Sequence, residues 1–466
     1  MRIVWITPAS DMHRHPLYRL GNALYGHSNA ITGPLVLGHI LKNAGHEVAV
    51  YEELYRDVDW RVCDSADLIC LYTMTSNAPR AYQIADRLRA RGKRVILGGM
   101  HASALPQEAL AHADQVVTGE GENVIRDVAE GRLTDPIVHS PCLKDLDNAP
   151  FPDYSLLKTP CTVANVLTTR GCPFRCAFCT TSRMFSPYRE RSVENVLEEL
   201  RYYKRLGFRY MNFEDDNFTA DRARTKEILR RMIAEGLVFR ETFFFGRTDM
   251  AEDEEMLGLL EKAHLSRVLV GIESLNQQSL DIIDKHQKIS DIEACATALG
   301  RHHIRLIASL VLGIDTDGPA DIRRGVEFAR HIHAYQLQPA VLTPYPGTPV
   351  YAQYERENRL IDRRWEYFDM MNVNFIPNRM TPWQLQREFF RAVSKFYNCR
   401  GALDILRRFG LNYGLRRLGF WLVVRAAVPG AELMARLFPR SRCYQLRAMD
   451  HPRRPHPHPR LGRERA

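Results

Sequence analysis

The chain has 466 residues, 45% hydrophobic and 26% charged, with a formal net charge of +9. That length exceeds one ordinary core, and that balance excludes collagen-like and disordered classes. Residues 400–466 hold 15 Arg and 4 acidic residues, a balance of +11 that leaves −2 for residues 1–399, so the body is not marked as a nucleic-acid binder.

Residues 2–7, 47–51, 67–72, 94–97 and 115–117 read as short buried strands, and residues 34–43, 78–90 and 123–130 carry helical periodicity among them. The opening run breaks at Pro8 and lacks signal-peptide order, which predicts a cytoplasmic protein. Such alternation builds a parallel sheet wrapped by helices, a flavodoxin-like or Rossmann-like α/β domain over residues 1–132. Ligands of these folds bind beyond the carboxyl ends of the strands. Those ends carry Thr73-Met-Thr75, Gly98-Gly99-Met-His101 and Gly119-Glu120-Gly121-Glu122. The first strand lacks the Gly-x-Gly-x-x-Gly turn of a dinucleotide site, which argues against NAD.

Between residues 133 and 160 the periodicity fails, and prolines at 136, 141, 150, 152 and 160 mark a linker. A second series follows, with strands at 163–168, 210–213, 242–245, 268–272, 306–312 and 340–343 separated by helical stretches such as 193–206 and 222–234. It predicts a partial (β/α)6 barrel over residues 161–360, with its chemistry on the loops after the strands. Residues 361–450 read as a mainly helical, basic C-terminal region. Their longest apolar run, 418–430, contains Arg425 and falls short of the ~20 apolar residues that a spanning helix requires. The tail, 451–466, has too little apolar content to order itself.

Ten cysteines in a chain of this kind argue for metal or redox chemistry rather than disulfides. Three of them lie in Thr169-Arg-Gly-Cys172-Pro-Phe-Arg-Cys176-Ala-Phe-Cys179, directly after a predicted strand. Accident is a poor explanation of that spacing. A structural zinc site needs four ligands, and none of the other seven cysteines is adjacent. Three thiolates on an iron–sulfur cubane leave one iron open to a small chelating molecule. This Cys-x3-Cys-x2-Cys loop resembles that of the radical S-adenosylmethionine (SAM) superfamily. The resemblance implies a [4Fe-4S] cluster on Cys172, Cys176 and Cys179, with SAM chelated at the open iron. It also implies a reducing partner such as flavodoxin or ferredoxin, and cleavage of SAM to methionine and a 5'-deoxyadenosyl radical that abstracts hydrogen from an unactivated carbon.

The same resemblance places Phe178 near the adenine. Gly271-Ile-Glu-Ser274 is similar to the family segment at the end of the fourth barrel strand, which implies SAM contacts for Glu273 and Ser274. From the residues alone, Glu273 also reads as an exposed loop acid. Arg247, in Gly246-Arg-Thr-Asp249, reads as a partner for the SAM carboxylate or as half of a surface ion pair. The acids of Phe213-Glu-Asp-Asp-Asn217 read as SAM or substrate contacts, and Asp221 as a helix cap. None of these residues is assigned as a catalytic acid, base or nucleophile.

A parallel α/β domain ahead of such a barrel resembles the cobalamin-binding radical SAM proteins, among them tetrapyrrole cyclases, hopanoid methylases and antibiotic methylases. Outside the cysteines the likeness is carried by Gly98-Gly-Met-His-Ala-Ser-Ala-Leu-Pro106 and Gly119-Glu-Gly-Glu122. It implies cobalamin held by Thr73, Thr75, Gly98, Gly99, His101, Gly119, Glu120, Gly121 and Glu122. Cobalamin proteins that ligate cobalt with a histidine carry Asp-x-His-x-x-Gly, whereas Asp11-Met-His13 is followed by Arg14, His15 and Pro16. His13 therefore reads as a loop histidine rather than the cobalt ligand. The other seven cysteines read as small buried hydrophobes, against a second cluster.

The activity implied is cobalamin-dependent methylation of an unactivated carbon in a small molecule, one SAM methylating the cobalamin and a second giving the radical. The alternatives are an oxidoreductase or cyclase acting on a tetrapyrrole or lipid without methyl transfer, and a non-catalytic cobalamin or cluster sensor. The cations and aromatics between Arg407 and Val424 read either as a helix packed on the barrel or as a peripheral contact with an anionic membrane. No residue calls for nucleic acid as a partner.

Overall fold

The computed structural model describes residues 1–16, 18–19 and 27–450; the tail expected at 451–466 lies outside the described residues. Arg2–Thr7 (β1) buries five consecutive side chains, because a parallel strand is covered by helices on both faces. It joins Glu47–Glu52 (β2), Leu68–Tyr72 (β3), Arg94–Gly98 (β4), Gln115–Gly119 (β5) and Ile137–Ser140 (β6) in an all-parallel sheet of order β2-β1-β3-β4-β5-β6. One apolar layer, including Ile69, Leu71 and Ile84, lies under the helix Ala78–Arg89. The other, including Trp5, Leu35 and Val128, lies under Thr32–Asn43 and Ile125–Ala129. This is the flavodoxin-like order, and its direction reverses beside β1, opening a crevice at the carboxyl ends. The sequence reading places β6 in the linker. It is a four-residue edge strand between Pro136 and Pro141 that pairs only with β5, too short to show a period.

The second sheet runs through Val163–Val166 (β7), Tyr210–Phe213 (β10), Glu241–Gly246 (β11), Arg267–Glu273 (β12), Arg305–Leu312 (β13) and Gln336–Val341 (β14), all parallel and in that spatial order. Thr169–Arg170 (β8) and Arg189–Glu190 (β9) form a short antiparallel pair between β7 and β10. β7 and β14 are both edges, so the barrel is open. Strand positions agree closely with expectation except for β14, which begins four residues earlier than predicted. Pro339 disguises it, and an edge strand tolerates that proline. Asp221 caps the helix Arg222–Ala234, its carboxylate accepting the Arg224 N–H at 2.9 Å.

The C-terminal region comprises Pro382–Phe396 (α1), Cys399–Phe409 (α2), Leu411–Val424 (α3), Ala427–Leu437 (α4) and Arg442–Asp450 (α5). Residues Leu411–Leu437 are long and apolar enough, by length and composition, to cross a membrane, with a mean hydropathy of 1.4. That stretch is longer than the 418–430 run expected, and a turn at Arg425–Ala426 divides it.

A contact across the whole chain ties the barrel end to the front domain. The Trp365 indole N–H donates to Glu108 at 2.8 Å. Glu108 also accepts the Tyr82 hydroxyl at 3.1 Å and lies 3.3 Å from His101 Nε2. Trp365→Ala is expected to destabilise the full chain by about 3 to 5 kcal/mol through the lost ring, and Trp365→Phe, which keeps a ring, by about 1 kcal/mol. Denaturant unfolding that finds the two variants equal would remove this role.

Candidate functional site

The cysteine loop leaves the barrel between two anchors. The Thr168 and Thr169 hydroxyls donate to the fully buried Asp215 at 2.9 and 2.6 Å, pinning the start of the loop to the end of β10. Farther along, the Ala177 N–H donates to the Ile283 carbonyl at 3.0 Å. Cys176 is buried, and Cys172 and Cys179 are half-buried. Burial pushes the Cys172 thiol up to about 11. Burial raises the Cys176 thiol as well, while the charges of Lys285 and Arg247 act to lower it. Among the described residues no three His, Cys, Asp or Glu side chains converge on a single ion. The Cys172 thiol nevertheless feels the charges of both Cys176 and Cys179, and in a cubane each of three such thiolates binds a different iron.

The SAM-side candidates gather around this loop. The Arg247 guanidinium lies 3.7 Å from the centre of the Phe174 ring and donates to the carbonyls of Lys285 and His286 at 2.5 and 3.3 Å. It is buried, so the surface ion pair considered for it does not exist. Glu273 is buried too, not an exposed loop acid, and its carboxylate accepts from the Lys285 ammonium at 2.7 Å. Its backbone is left-handed (φ 63°), at a register shift between Gly271 and Glu273. A Cβ at Gly271 would displace the paired Glu273 carboxylate and Lys285 ammonium. Ser274 turns its hydroxyl to Asp317 at 3.2 Å. Phe178 is half-buried against the barrel core.

Facing the loop is a cavity of about 370 Å³ between the carboxyl ends of the two sheets. Gly98, Gly99, Gly119, Glu120, Gly121 and Glu122 line its front wall, and Thr169, Arg170 and Gly171 reach it from the barrel. Gly99 has φ +100°, and a Cβ there would sit 2.6 Å from the Thr73 carbonyl oxygen. The turn against Thr73 therefore requires glycine. Three expected contacts stand elsewhere. Thr73 donates its hydroxyl to the Gly98 carbonyl at 2.8 Å and accepts the Ala102 N–H at 3.0 Å, so it shapes the loop from behind. Thr75 is buried in the turn Thr75–Asn77. His101 is fully buried beside Glu108. Their side chains leave the wall because a strand-end loop turns alternate residues inward, which the spacing does not reveal. Among the described residues no histidine lines the cavity, and His13 lies 4.7 Å, ring to ring, from Tyr18.

Glu120 and Glu122 do more than line the wall. Glu120 accepts from Arg170 and Arg189 and takes the Leu143 N–H at 2.8 Å, and Glu122 pairs with Arg170. Burial raises the Glu120 carboxyl, but the hydrogen bond from Arg189 and the charge of Arg170 outweigh it and hold the group below its ordinary value. The acids after β10 divide. Asp215 anchors the loop, whereas Glu214 and Asp216 face the cavity, where loss of bulk solvent and the neighbouring Asp215 and Glu214 carboxylates raise the accessible Asp216 carboxyl. Sequence reasoning missed Lys285, Arg189 and Asp317. Each acts through a distant partner, and no local pattern marks it.

With this geometry the comparisons agree. Residues 166–329 match the Radical SAM superfamily, and residues 31–129 match the B12 binding domain. The chain thus carries a B12-binding domain followed by a radical SAM domain. It is 26% identical over 403 residues to bacteriochlorophyllide d C-12(1)-methyltransferase of Chlorobaculum tepidum, covering 83% of this chain and 87% of that protein. It is 27% identical over 375 residues to the C-8(2)-methyltransferase of the same organism, covering 72% and 79%. Its fold matches the radical SAM methyltransferase TsrM of Kitasatospora setae, solved with cobalamin and a [4Fe-4S] cluster, with a TM-score of 0.66 at 15% identity over 92% of this chain and 99% of that one. The family implies a [4Fe-4S] cluster and SAM, and the front domain implies cobalamin. The residues present fit both, as three thiols on one short loop and a cavity of about 370 Å³ walled in part by the backbone of Gly98, Gly99, Gly119 and Gly121.

Glu120→Gln leaves the half-buried Arg189 without its carboxylate and Arg170 with Glu122 alone, and is expected to cost about 3 kcal/mol at neutral pH. The carboxyl is depressed in the fold, so its stabilisation is present above the unfolded value of about 4.3 and fades as pH falls through the lower folded value. The difference between parent and variant, followed by denaturant titration, should therefore shrink below about pH 4. A difference independent of pH would refute the assignment.

Proposed function

We propose that the protein is a cobalamin-dependent radical SAM methyltransferase that transfers a methyl group to an unactivated carbon of a small molecule. The observation that carries this reading is the single cavity onto which the glycine-bared front wall and the start of the cysteine loop both open. Cys172, Cys176 and Cys179 hold the cluster. Bound at these positions, the cluster and cobalamin supply the electron for SAM cleavage and the carrier for the methyl group.

The chain's own residues bind, orient and exclude water. Burial raises the Cys176 thiol, and the cations of Lys285 and Arg247 offset part of that cost of the thiolate. Glu273 and Ser274 present acceptors at the end of β12 for the amino-acid and ribose parts of SAM, and Phe178 offers a ring to the adenine. Gly98, Gly99, Gly119 and Gly121 allow a corrin to approach the backbone, and the Glu120–Arg170–Arg189 pairing closes the domains over the site. The relatives named above are methyltransferases of bacteriochlorophyllide d, which favours methyl transfer over cyclisation or simple oxidation.

The reading includes a cytoplasmic setting and a soluble electron donor of the flavodoxin or ferredoxin kind, met by the exposed Pro173 and Arg175 of the cysteine loop. It also includes a membrane contact through the basic C-terminal region. Anaerobically reconstituted protein, reduced with SAM and substrate, should yield S-adenosylhomocysteine together with 5'-deoxyadenosine. 5'-Deoxyadenosine alone would mean a different radical reaction. Cys176→Ala should lose iron and all 5'-deoxyadenosine formation while still binding cobalamin by its visible spectrum. Parental turnover in that variant would sink the assignment.

A further inference from the structure

Helix α3 is apolar on two sides. Its inner side, with Gly414, Arg417 and Val424, is buried on the barrel. There Arg417 donates to the carbonyls of Tyr335 and Phe396 at 3.0 and 3.4 Å, and the Phe420 ring lies 4.6 Å from that of Tyr397. Its outer side carries Leu411, Leu415, Leu418 and Leu422, one stripe at helical spacing, all exposed. Leu422 and the adjacent Val423 are 60% and 71% exposed. Helix α4 repeats the pattern. Ala431 and Ala435 are buried, while Leu433, Met434 and Leu437 face outward. A helix with a second, exposed apolar stripe opposite its packed side is the pattern of an element whose outer face is also covered.

The charge around this face identifies the cover. Asp404 is taken by Arg408 at 3.0 Å and Glu432 by Arg387 at 2.7 Å, while Asp450 accepts the Thr381 hydroxyl at 2.7 Å. Arg400, Arg407, Arg425, Arg436 and Arg440 are exposed and make no ion pair among the described residues. Exposed arginines on α2, at the α3–α4 turn and along α4, next in the chain to exposed leucines, match acyl chains under anionic headgroups. A second copy would set one cationic rim against another.

We infer that the outer face of α3 and α4 lies flat on an anionic lipid bilayer, docking the enzyme as a peripheral protein. This deepens the membrane contact of the reading above and rests on it. The turn at Arg425–Ala426 and the docked inner side keep the segment from crossing. Helix α3 alone spans only about 21 Å, short of the ~30 Å hydrocarbon core. Tyr413 bonds Glu241 at the start of β11, and Arg417 bonds Tyr335 just before β14, so the lipid face lies at the amino-terminal end of the barrel strands. The cysteine loop, at the carboxyl end, stays open to a soluble donor.

The test floats cluster-loaded full-length protein with vesicles of phosphatidylcholine, alone or mixed with phosphatidylglycerol. Docking predicts capture by the anionic vesicles only, falling with salt, and weakened about fivefold by each of Arg407→Gln and Arg425→Gln. Leu422→Asp with Val423→Asp should abolish capture while 5'-deoxyadenosine formation stays at the parental rate, which separates loss of docking from failure of the catalytic reading. Equal capture by neutral vesicles would overturn the charge match yet leave a membrane contact, and no capture by either would remove both. Resistance to alkaline carbonate extraction would overturn flat docking, as would a vesicle-indifferent dimer dissociated by the double variant.

Discussion

The site exists because two parallel sheets present their carboxyl ends to each other, and nothing in either sheet alone enforces that. Each is a self-sufficient layer with its own apolar cores. Their mutual placement depends on Glu120 and Glu122, at the end of the front strand β5, meeting Arg170 and Arg189 from the β8–β9 pair of the barrel. These charges are largely withdrawn from water, so separating the domains would strand them, and sliding the domains would mismatch a fork of guanidinium donors against fixed carboxylates. An apolar interface of the same area would hold as firmly but would specify register less sharply.

That pairing also reaches the chemistry through a short piece of chain. Arg170 stands two residues before Cys172, and Arg189 lies on the strand paired with it. The loop is held from the barrel side by Asp215 under Thr168 and Thr169, by the Ile283 carbonyl, and by Arg247 stacked on Phe174. The three thiols are therefore positioned with respect to both sheets at once. A site that must bring a cluster, SAM, cobalamin and a substrate into one small space needs such prior order, because disorder of an ångström in the loop would pass directly into the reacting distance.

What could be read from the sequence follows the range of the interactions concerned. The alternating strands, the cysteine loop and the glycines at 98, 99, 119 and 121 are local patterns, and each sits at the strand end where the pattern predicts it. Strand β14 was misplaced because Pro339 breaks the local signal, although its edge position makes the proline harmless. Thr73 and His101 belong to the right loops but face inward, which depends on how the loop turns rather than on spacing. Lys285 beside Glu273, and Trp365 on Glu108, were invisible for a deeper reason: nothing in a single sequence joins residues 12 or 257 positions apart until the fold does.

The charge distribution acquires its meaning only from the same geometry. A near-neutral body with a strongly basic end suggests a detachable appendage, yet α3 is bound into the barrel by Arg417 and by rings stacked on it. The arginines that remain outward stand around apolar side chains at the amino-terminal end of the strands, opposite the cysteine loop. The barrel thus separates its two ends by task. One end faces the front domain and the bound cofactors, where buried charges are paired. The other carries unpaired cations and uncovered leucines, which cost little in water singly but together favour a surface that is both greasy and negative.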